Sequence, residues 1–334
     1  MKAIALISGG LDSILAAKVI QEQGIDIIPL HFKIPFCQRD KKVASNKGDK
    51  FSLVADNLGI ELKIVDIGAE FLKLLENPKY GFGTNMNPCI DCKILMLTKA
   101  KELLKVMDAA FVVTGEVLGQ RPMSQHRQAL ETIERKSGLE DLVLRPLSAK
   151  LLTETTPERQ GWIDRGKLLD FSGRTRKPQM ELAKNFNIEN YPNPAGGCLL
   201  TDPEFSRRLK DLMAHQEFNM HNIELLKFGR HFRIHPEAKL IVGRNEKENA
   251  ELVNSVKSND LLFMPTDEIA GPTSLGRGNF NAESIKLSCQ ITCRYCDLNG
   301  KINADIFYRR IPEKEDKILN VYPIVENSLL SLRV

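Results

Sequence analysis

The residues best suited to chemistry come at the start of the chain. Ser8-Gly9-Gly10-Leu11-Asp12-Ser13 ends a strand-like run, Lys2 to Ser8, and opens a helical pattern near Leu11 or Asp12. Two glycines at such a junction leave backbone N–H groups at the positive end of the helix, where phosphate oxygens fit. The hydroxyls of Ser8 and Ser13 add donors, and Asp12 can orient a Mg2+ ion beside the phosphates. The lysine of a G-x-x-x-x-G-K-[ST] phosphate loop is missing, which excludes that class. A plain strand-to-helix turn explains less, because two glycines, two serines and an aspartate coincide here.

The cysteines come next. Asn87-Pro88-Cys89-Ile90-Asp91-Cys92 precedes a helical pattern, so Cys92 and Cys89 are expected to feel the helix N-terminal dipole, which favours thiolate. Taken alone, this C-x-x-C is open to three readings: a redox pair, a zinc half-site or an iron–sulfur half-site. Gly196-Gly197-Cys198 places a third cysteine in a flexible, exposed setting. Cys289, Cys293 and Cys296 have C-x-x-x-C-x-x-C spacing, but Ala282 to Leu298 reads as a helix whose one face carries all three. Core packing is therefore expected for them.

Ser8 to Ser13 resembles the SGGxDS loop of the PP-loop ATP pyrophosphatases, which cleave ATP between its α and β phosphates. The resemblance extends to His31 in Pro29-Leu-His-Phe32. It also covers Thr114-Gly-Glu-Val-Leu-Gly-Gln120 followed by Ser124-Gln125, which is similar to the TGExxGQ segment of tRNA 4-thiouridine synthetases. On this resemblance Ser8 to Ser13, His31, Gly115, Glu116 and Gln120 hold ATP. Gly115 lets the nucleotide approach, and Glu116 and Gln120 bond ribose or base. Their spacing of four is equally that of a pair on one helix face.

Thiolation enzymes of this family set a cysteine from an NPCxxC-like segment opposite another from a distant loop. Two chemistries follow from that likeness: a persulfide relay between two cysteines, or a 4Fe-4S cluster on Cys89, Cys92 and Cys198 with one iron open to hydrosulfide. The cluster is preferred because three thiols are present where a relay needs two. The resemblance thus implies a tRNA sulfurtransferase that adenylates a uridine carbonyl oxygen, releases pyrophosphate and AMP, and draws sulfur from inorganic sulfide or a persulfide-carrying protein. Catalysis would rest on Cys89, Cys92, Cys198 and Asp12. The rivals are an amidating or other nucleobase-modifying PP-loop synthetase, and an RNA-binding protein with an inactive loop.

These groups need a scaffold. Strand-like runs at Lys2 to Ser8, Asp26 to Lys33, Glu61 to Asp66, Ala110 to Thr114 and Leu142 to Arg145 alternate with amphipathic stretches at Ser13 to Gln23, Ser45 to Leu58 and Cys92 to Met107. That alternation predicts stacked βαβ units and an α/β parallel sheet, and the resemblance implies that they form a PP-loop domain over residues 1–200. Residues 201–334 read as a smaller α+β domain. It has helices at Asp202 to Ala214 and near Lys247 to Val256, and strands at Glu224 to Phe228, Phe232 to Ile234 and Leu240 to Val242. Within Phe228 to His235, alternation puts His231, Arg233 and His235 on one strand face and Phe232 and Ile234 on the other. With Arg230, Lys239 and Arg244 nearby, that face is expected to hold RNA phosphates, and Ile241 to Asn249 is similar to a segment of the NFACT RNA-binding domain.

Composition sets the outer bounds. A chain of 334 residues suits roughly two domains. Forty-seven basic and 43 acidic residues, net +4, permit an anionic partner such as tRNA without requiring one. No apolar run approaches the roughly 20 residues of a membrane helix, and the start is too short for a signal peptide. A cytoplasmic protein with no membrane partner is expected. Seven cysteines then point to metal or sulfur chemistry rather than disulfides.

Overall fold

The computed structural model describes residues 1–37, 57–189, 191 and 198–334. Two compact units emerge, Met1–Thr201 and Asp202–Val334.

The first unit is built on a five-stranded sheet of β1 (Lys2–Leu6), β2 (Asp26–Lys33), β3 (Lys63–Asp66), β4 (Phe111–Thr114) and β5 (Val143–Leu144), in the order β3-β2-β1-β4-β5. All neighbours run parallel. Ala3, Ile4 and Ala5 are buried, as a central parallel strand covered on both faces requires. The helices are α1 (Leu11–Gln21), α2 (Gly68–Glu76), α3 (Cys89–Val106), α4 (Arg127–Ser137), α5 (Thr156–Arg159) and α6 (Lys177–Asn185). The chain runs from β1 outward to β3 and then returns to β4 on the other side of β1. In open α/β sheets ligands bind outside the carboxyl ends of the strands at such a switch point. Ser8, His31 and Thr114 all lie at those ends.

Several boundaries differ from the sequence reading. The helix expected over Ser45 to Leu58 falls almost wholly outside the described residues. The helix expected from Cys92 begins at Cys89, with Pro88 as its N-cap residue.

The second unit carries α7 (Pro203–Ala214), α8 (Met220–Leu225), α9 (Glu246–Asn254), α10 (Ala282–Arg294) and α11 (Glu326–Leu332) with a six-stranded sheet. Its strands are β6 (Arg230–His235), β7 (Ala238–Val242), β8 (Leu261–Pro265), β9 (Ser274–Gly278), β10 (Ala304–Arg310) and β11 (Lys317–Val321), in the antiparallel order β11-β10-β8-β9-β7-β6. The strand expected over Glu224 to Phe228 is instead the end of α8 and a turn, because Asn219 caps that helix by accepting from Asn222 N–H at 3.0 Å. Cys289 and Cys293 are fully buried on α10 against Phe232, Leu240, Phe263 and Ile306. Cys296 lies beyond the end of α10 and packs against the same cluster.

Candidate active site

Ser8 to Ser13 turns from β1 into α1. Gly9 has φ +72°, a conformation that favours glycine. Gly10 is the N-cap residue, and no side chain of the described residues makes a capping hydrogen bond there, which leaves the first N–H groups for a ligand. Ser13 braces the turn: its hydroxyl donates to Gly10 O at 2.8 Å and accepts from Ser8 N–H at 3.2 Å. The Leu11 side chain is buried in the core, so only its backbone can serve a nucleotide. Asp12 Oδ2 accepts from Gln120 Nε2 at 3.2 Å, while Oδ1 is buried with no hydrogen-bond partner among the described residues. An orphaned carboxylate oxygen beside an anion-binding loop fits Mg2+.

The segment after β4 departs from expectation. Glu116 and Gln120 do not share a helix face, because residues 115–120 form a bridge and a turn. A Cβ on Gly115 would lie 2.5 Å from Ser13 N and 2.6 Å from Asp12 O. Its smallness admits the backbone of the glycine loop rather than the nucleotide itself. Glu116, expected on ribose or base, is 3% exposed and accepts from Thr114 Oγ1 at 3.1 Å and Arg145 Nε at 3.0 Å, with Lys93 Nζ at 3.2 Å. Burial pushes its carboxyl up, but Lys93 and Arg145 outweigh that and hold it at about 2. It is an anchor for two cations. His31 Nδ1 donates to Ile7 O at 2.8 Å, and the residue lines the cavity wall.

Cys37, Cys89, Cys92 and Cys198 line one cavity of about 250 Å³ with Ser8, Gly10, Asp12, Ser13, His31, Gly115, Glu116 and Gln120. Main-chain hydrogen bonds bring the distant segment in. Leu199 N–H donates to Phe36 O at 2.9 Å, and Met86 N–H donates to Leu200 O at 3.1 Å. The thiolate expectation is reversed. Burial raises Cys89 against the pull of Arg121 and Lys93. Burial also pushes both Cys92 and Cys198 up to about 12, with neighbouring cysteines adding to the shift. Desolvation wins over the helix terminus because several thiols share one partly closed space.

Among the described residues, no three His, Cys, Asp or Glu side chains are grouped to hold a single metal ion. A 4Fe-4S cluster takes each cysteine at a different iron, and sulfurs from separate segments converging on one cavity are the donors it uses. The donor set therefore fits that group. Among the described lining residues, the ionisable Cys37, Lys93 and Arg121 lay outside the sequence reading. For Cys37 a signal existed, since it lies just past β2 on the side where α/β sheets bind ligands.

In the second unit the expected basic strand face is not available as a whole. His231 is fully buried, with Nε2 2.7 Å from Phe228 O, and burial lowers its pKa well below the usual value. Arg233 is chelated by Asp211 at 2.7 Å and Glu217 at 2.9 Å, and Lys239 is buried with its Nζ 2.7 Å from Asp211, so neither presents a phosphate site. Arg230 lies over the Tyr295 ring, 4.4 Å from the centroid. Arg244 is half-exposed and its Nε is 2.9 Å from Glu248 Oε2. The strand alternation holds, but helix residues pack over the face that was read as open.

Comparison with known proteins bears on this site directly. Residues 1–150 match the thiamine biosynthesis protein (ThiI) family. The ThiI match takes in the glycine loop, His31, Cys37, Cys89, Cys92 and Gly115 to Gln120, and it ends before Cys198. Residues 229–332 match the NFACT protein RNA binding domain, a span that includes Arg230, Arg233 and Arg244. The tRNA-specific 2-thiouridylase MnmA of Petrotoga mobilis is 25% identical over 248 residues, 69% of this chain and 64% of the relative. A probable tRNA sulfurtransferase of Thermococcus kodakarensis is 26% identical over 147 residues, 44% of this chain and 36% of the relative. The chain thus spans less than two thirds of the length of either. Among solved structures, a 4-thiouridine synthetase–RNA complex with bound ATP is similar at TM-score 0.35 and 21% identity, over 56% of this chain and 51% of that one.

Proposed function

We propose that this chain is an ATP-dependent tRNA sulfurtransferase of the cytoplasm, exchanging a uridine carbonyl oxygen for sulfur. One observation carries the reading: the thiols of Cys89, Cys92 and Cys198 open into the same cavity as the uncapped glycine loop. The ThiI match over the loop and the tRNA-modifying relatives support it. An amidating synthetase of the same loop class would use ammonia and leave these sulfurs without work.

The loop N–H groups, with the Ser8 hydroxyl, hold the ATP phosphates, and Ser13 shapes the turn that presents them. Asp12, oriented by Gln120, would hold Mg2+, which screens phosphate charge. The uridine oxygen attacks the α-phosphorus, the bond to the β-phosphate oxygen breaks, and pyrophosphate leaves. Adenylation makes that oxygen a good leaving group. A hydrosulfide sulfur then attacks the carbon, the carbon–oxygen bond breaks and AMP departs. Lys93 and Arg121 set positive charge beside the cavity, where pyrophosphate and AMP develop negative charge. Cys89, Cys92 and Cys198 would hold a 4Fe-4S cluster, whose chemistry is to carry hydrosulfide on an open iron. The 202–334 unit captures tRNA through phosphates, a role the NFACT match supports.

The deciding experiment is nucleoside mass spectrometry of tRNA from cells with and without the gene, joined to product analysis in vitro. Loss of one thiouridine and release of AMP with pyrophosphate are expected. Formation of ADP and phosphate, or unchanged nucleosides, overturns the reading, and full thiolation by iron-free protein replaces the cluster with a persulfide relay.

A further inference from the structure

Of the cavity cysteines, Cys37 alone has no part in the chemistry above. It follows Phe36, which is fully buried and packs on Phe71 with ring centroids 5.6 Å apart, so its backbone is anchored. Cys37 and Cys198 are antiparallel bridge partners. The hydrogen bond beside them runs from Leu199 N–H to Phe36 O, one residue after Cys198 and one before Cys37. That pattern marks a non-hydrogen-bonded pair, whose Cα atoms stand about 4.5 Å apart and whose side chains lie closest together. A disulfide spans Cα separations of about 4.4–6.8 Å. Cys89 and Cys92 make a poorer pair. Residues three apart on a helix have Cβ atoms about 5–6 Å apart, against about 3.5–4.5 Å in a disulfide, so joining them would need the first turn of α3 to tighten.

We propose that Cys37 and Cys198 form a reversible disulfide, a modification site that withdraws Cys198 from sulfur transfer. With a low-molecular-weight disulfide as oxidant, the sulfur of one cysteine attacks it, losing its proton and expelling one small thiol. The second cysteine attacks the mixed disulfide, loses its proton and expels the other small thiol. Two cysteine thiols are oxidised to one S–S bond, and the oxidant is reduced to two thiols. A dithiol reverses the reaction. The bond itself rests on geometry alone, whereas its effect on sulfur transfer rests on the sulfurtransferase reading.

The test uses the full chain, reduced and then exposed to cystamine without denaturant. Titratable thiols should fall by two from the seven of the reduced chain. The intact mass should fall by two hydrogens, and proteolysis should yield one linked peptide pair holding Cys37 and Cys198. Binding of an ATP analogue should persist. Iron uptake on anaerobic reconstitution and tRNA thiolation should each drop at least tenfold and return with dithiothreitol. Cys37→Ser and Cys37→Ala, each checked for cooperative melting, should form no intramolecular bond: oxidation should give no linked peptide and no intact-mass loss of two hydrogens. A linked peptide joining other cysteines, or no thiol loss in the wild-type chain under excess cystamine, overturns the proposal. A chain that forms the bond yet never thiolates tRNA when reduced overturns the sulfurtransferase reading and leaves the disulfide standing.

Discussion

Gln120 Nε2 donates to Asp12 Oδ2 across 3.2 Å, joining residues 108 positions apart. The contact fixes one carboxylate oxygen, while the other is buried without a hydrogen-bond partner among the described residues. Asp12→Ala should lower magnesium-dependent pyrophosphate release by about 100-fold or more, as expected when one preorganised charge-handling group is removed. Gln120→Ala should give a smaller loss, rescued in part by raised magnesium. Pyrophosphate assays across a magnesium series check both, and equal activity of Asp12→Ala and wild type would place the ion elsewhere.

Gly115 has no room for a methyl group. Its Cβ would meet the backbone of Asp12 and Ser13, which cannot rotate away as a side chain can. Gly115→Ala should cost about 1–3 kcal/mol of stability, the range for overpacking, and weaken nucleotide binding more than that loss explains. Thermal unfolding and binding of an ATP analogue separate the two effects. Unchanged binding in a destabilised variant would mean the loop tolerates the shift.

The two sets of cysteines should respond oppositely. Cys89→Ala, Cys92→Ala and Cys198→Ala should each lose iron and thiolation together while keeping ATP binding. Cys289→Ala and Cys293→Ala, fully buried in the second core, should keep iron and lose about 1 kcal/mol each through a small cavity. Iron content by absorption and elemental analysis, beside melting curves, checks the contrast.

Glu116 gives the clearest pH dependence. Its carboxyl is held at about 2 in the folded chain, below the ordinary 4.5, by Lys93 and Arg145 acting against burial. The unfolded chain therefore binds more protons between those values, and stability rises with pH there. The contribution is complete above the unfolded value and fades as pH falls toward the folded one. Glu116→Gln should flatten that segment and, by leaving buried Arg145 with one anion fewer, lower stability near neutrality by about 3 kcal/mol. Urea unfolding of both proteins across this acid range is the measurement. Parallel curves would show that the ion pairs carry little of the acid response.

Arg233 and its neighbours should separate folding from tRNA capture. Arg233→Glu should destabilise the second unit by about 3 kcal/mol, because Asp211 and Glu217 lose their shared cation. Arg230→Glu and Arg244→Glu should instead weaken tRNA binding, each reducing the salt slope by about 1. Binding isotherms at two salt concentrations, with melting curves alongside, test this. Unaltered affinity in the Arg230 and Arg244 variants would move the RNA surface to other cations.

By itself the sequence determined what is local: the strand, glycine loop and helix from Lys2 to Gln21, the alternation that makes a parallel sheet, and the buried Cys289 and Cys293 on α10. These depend on periodicity and on residue types that admit few backbone shapes. The tertiary structure decided what is distant. Cys37 meets the Cys198 segment because Leu199 N–H donates to Phe36 O and Leu200 O accepts from Met86 N–H, and no spacing within a single chain segment encodes such a meeting. Charge was decided there too. Arg233 reads as a phosphate contact in a strand pattern, yet it is an internal ion pair once α7 supplies Asp211. The Cys92 thiol reads as a thiolate at a helix start, yet it is a neutral thiol once burial removes the water that would stabilise its charge. Solvent exposure and charge partners belong to the assembled chain, and they set the protonation and availability of every group whose type the sequence had already supplied.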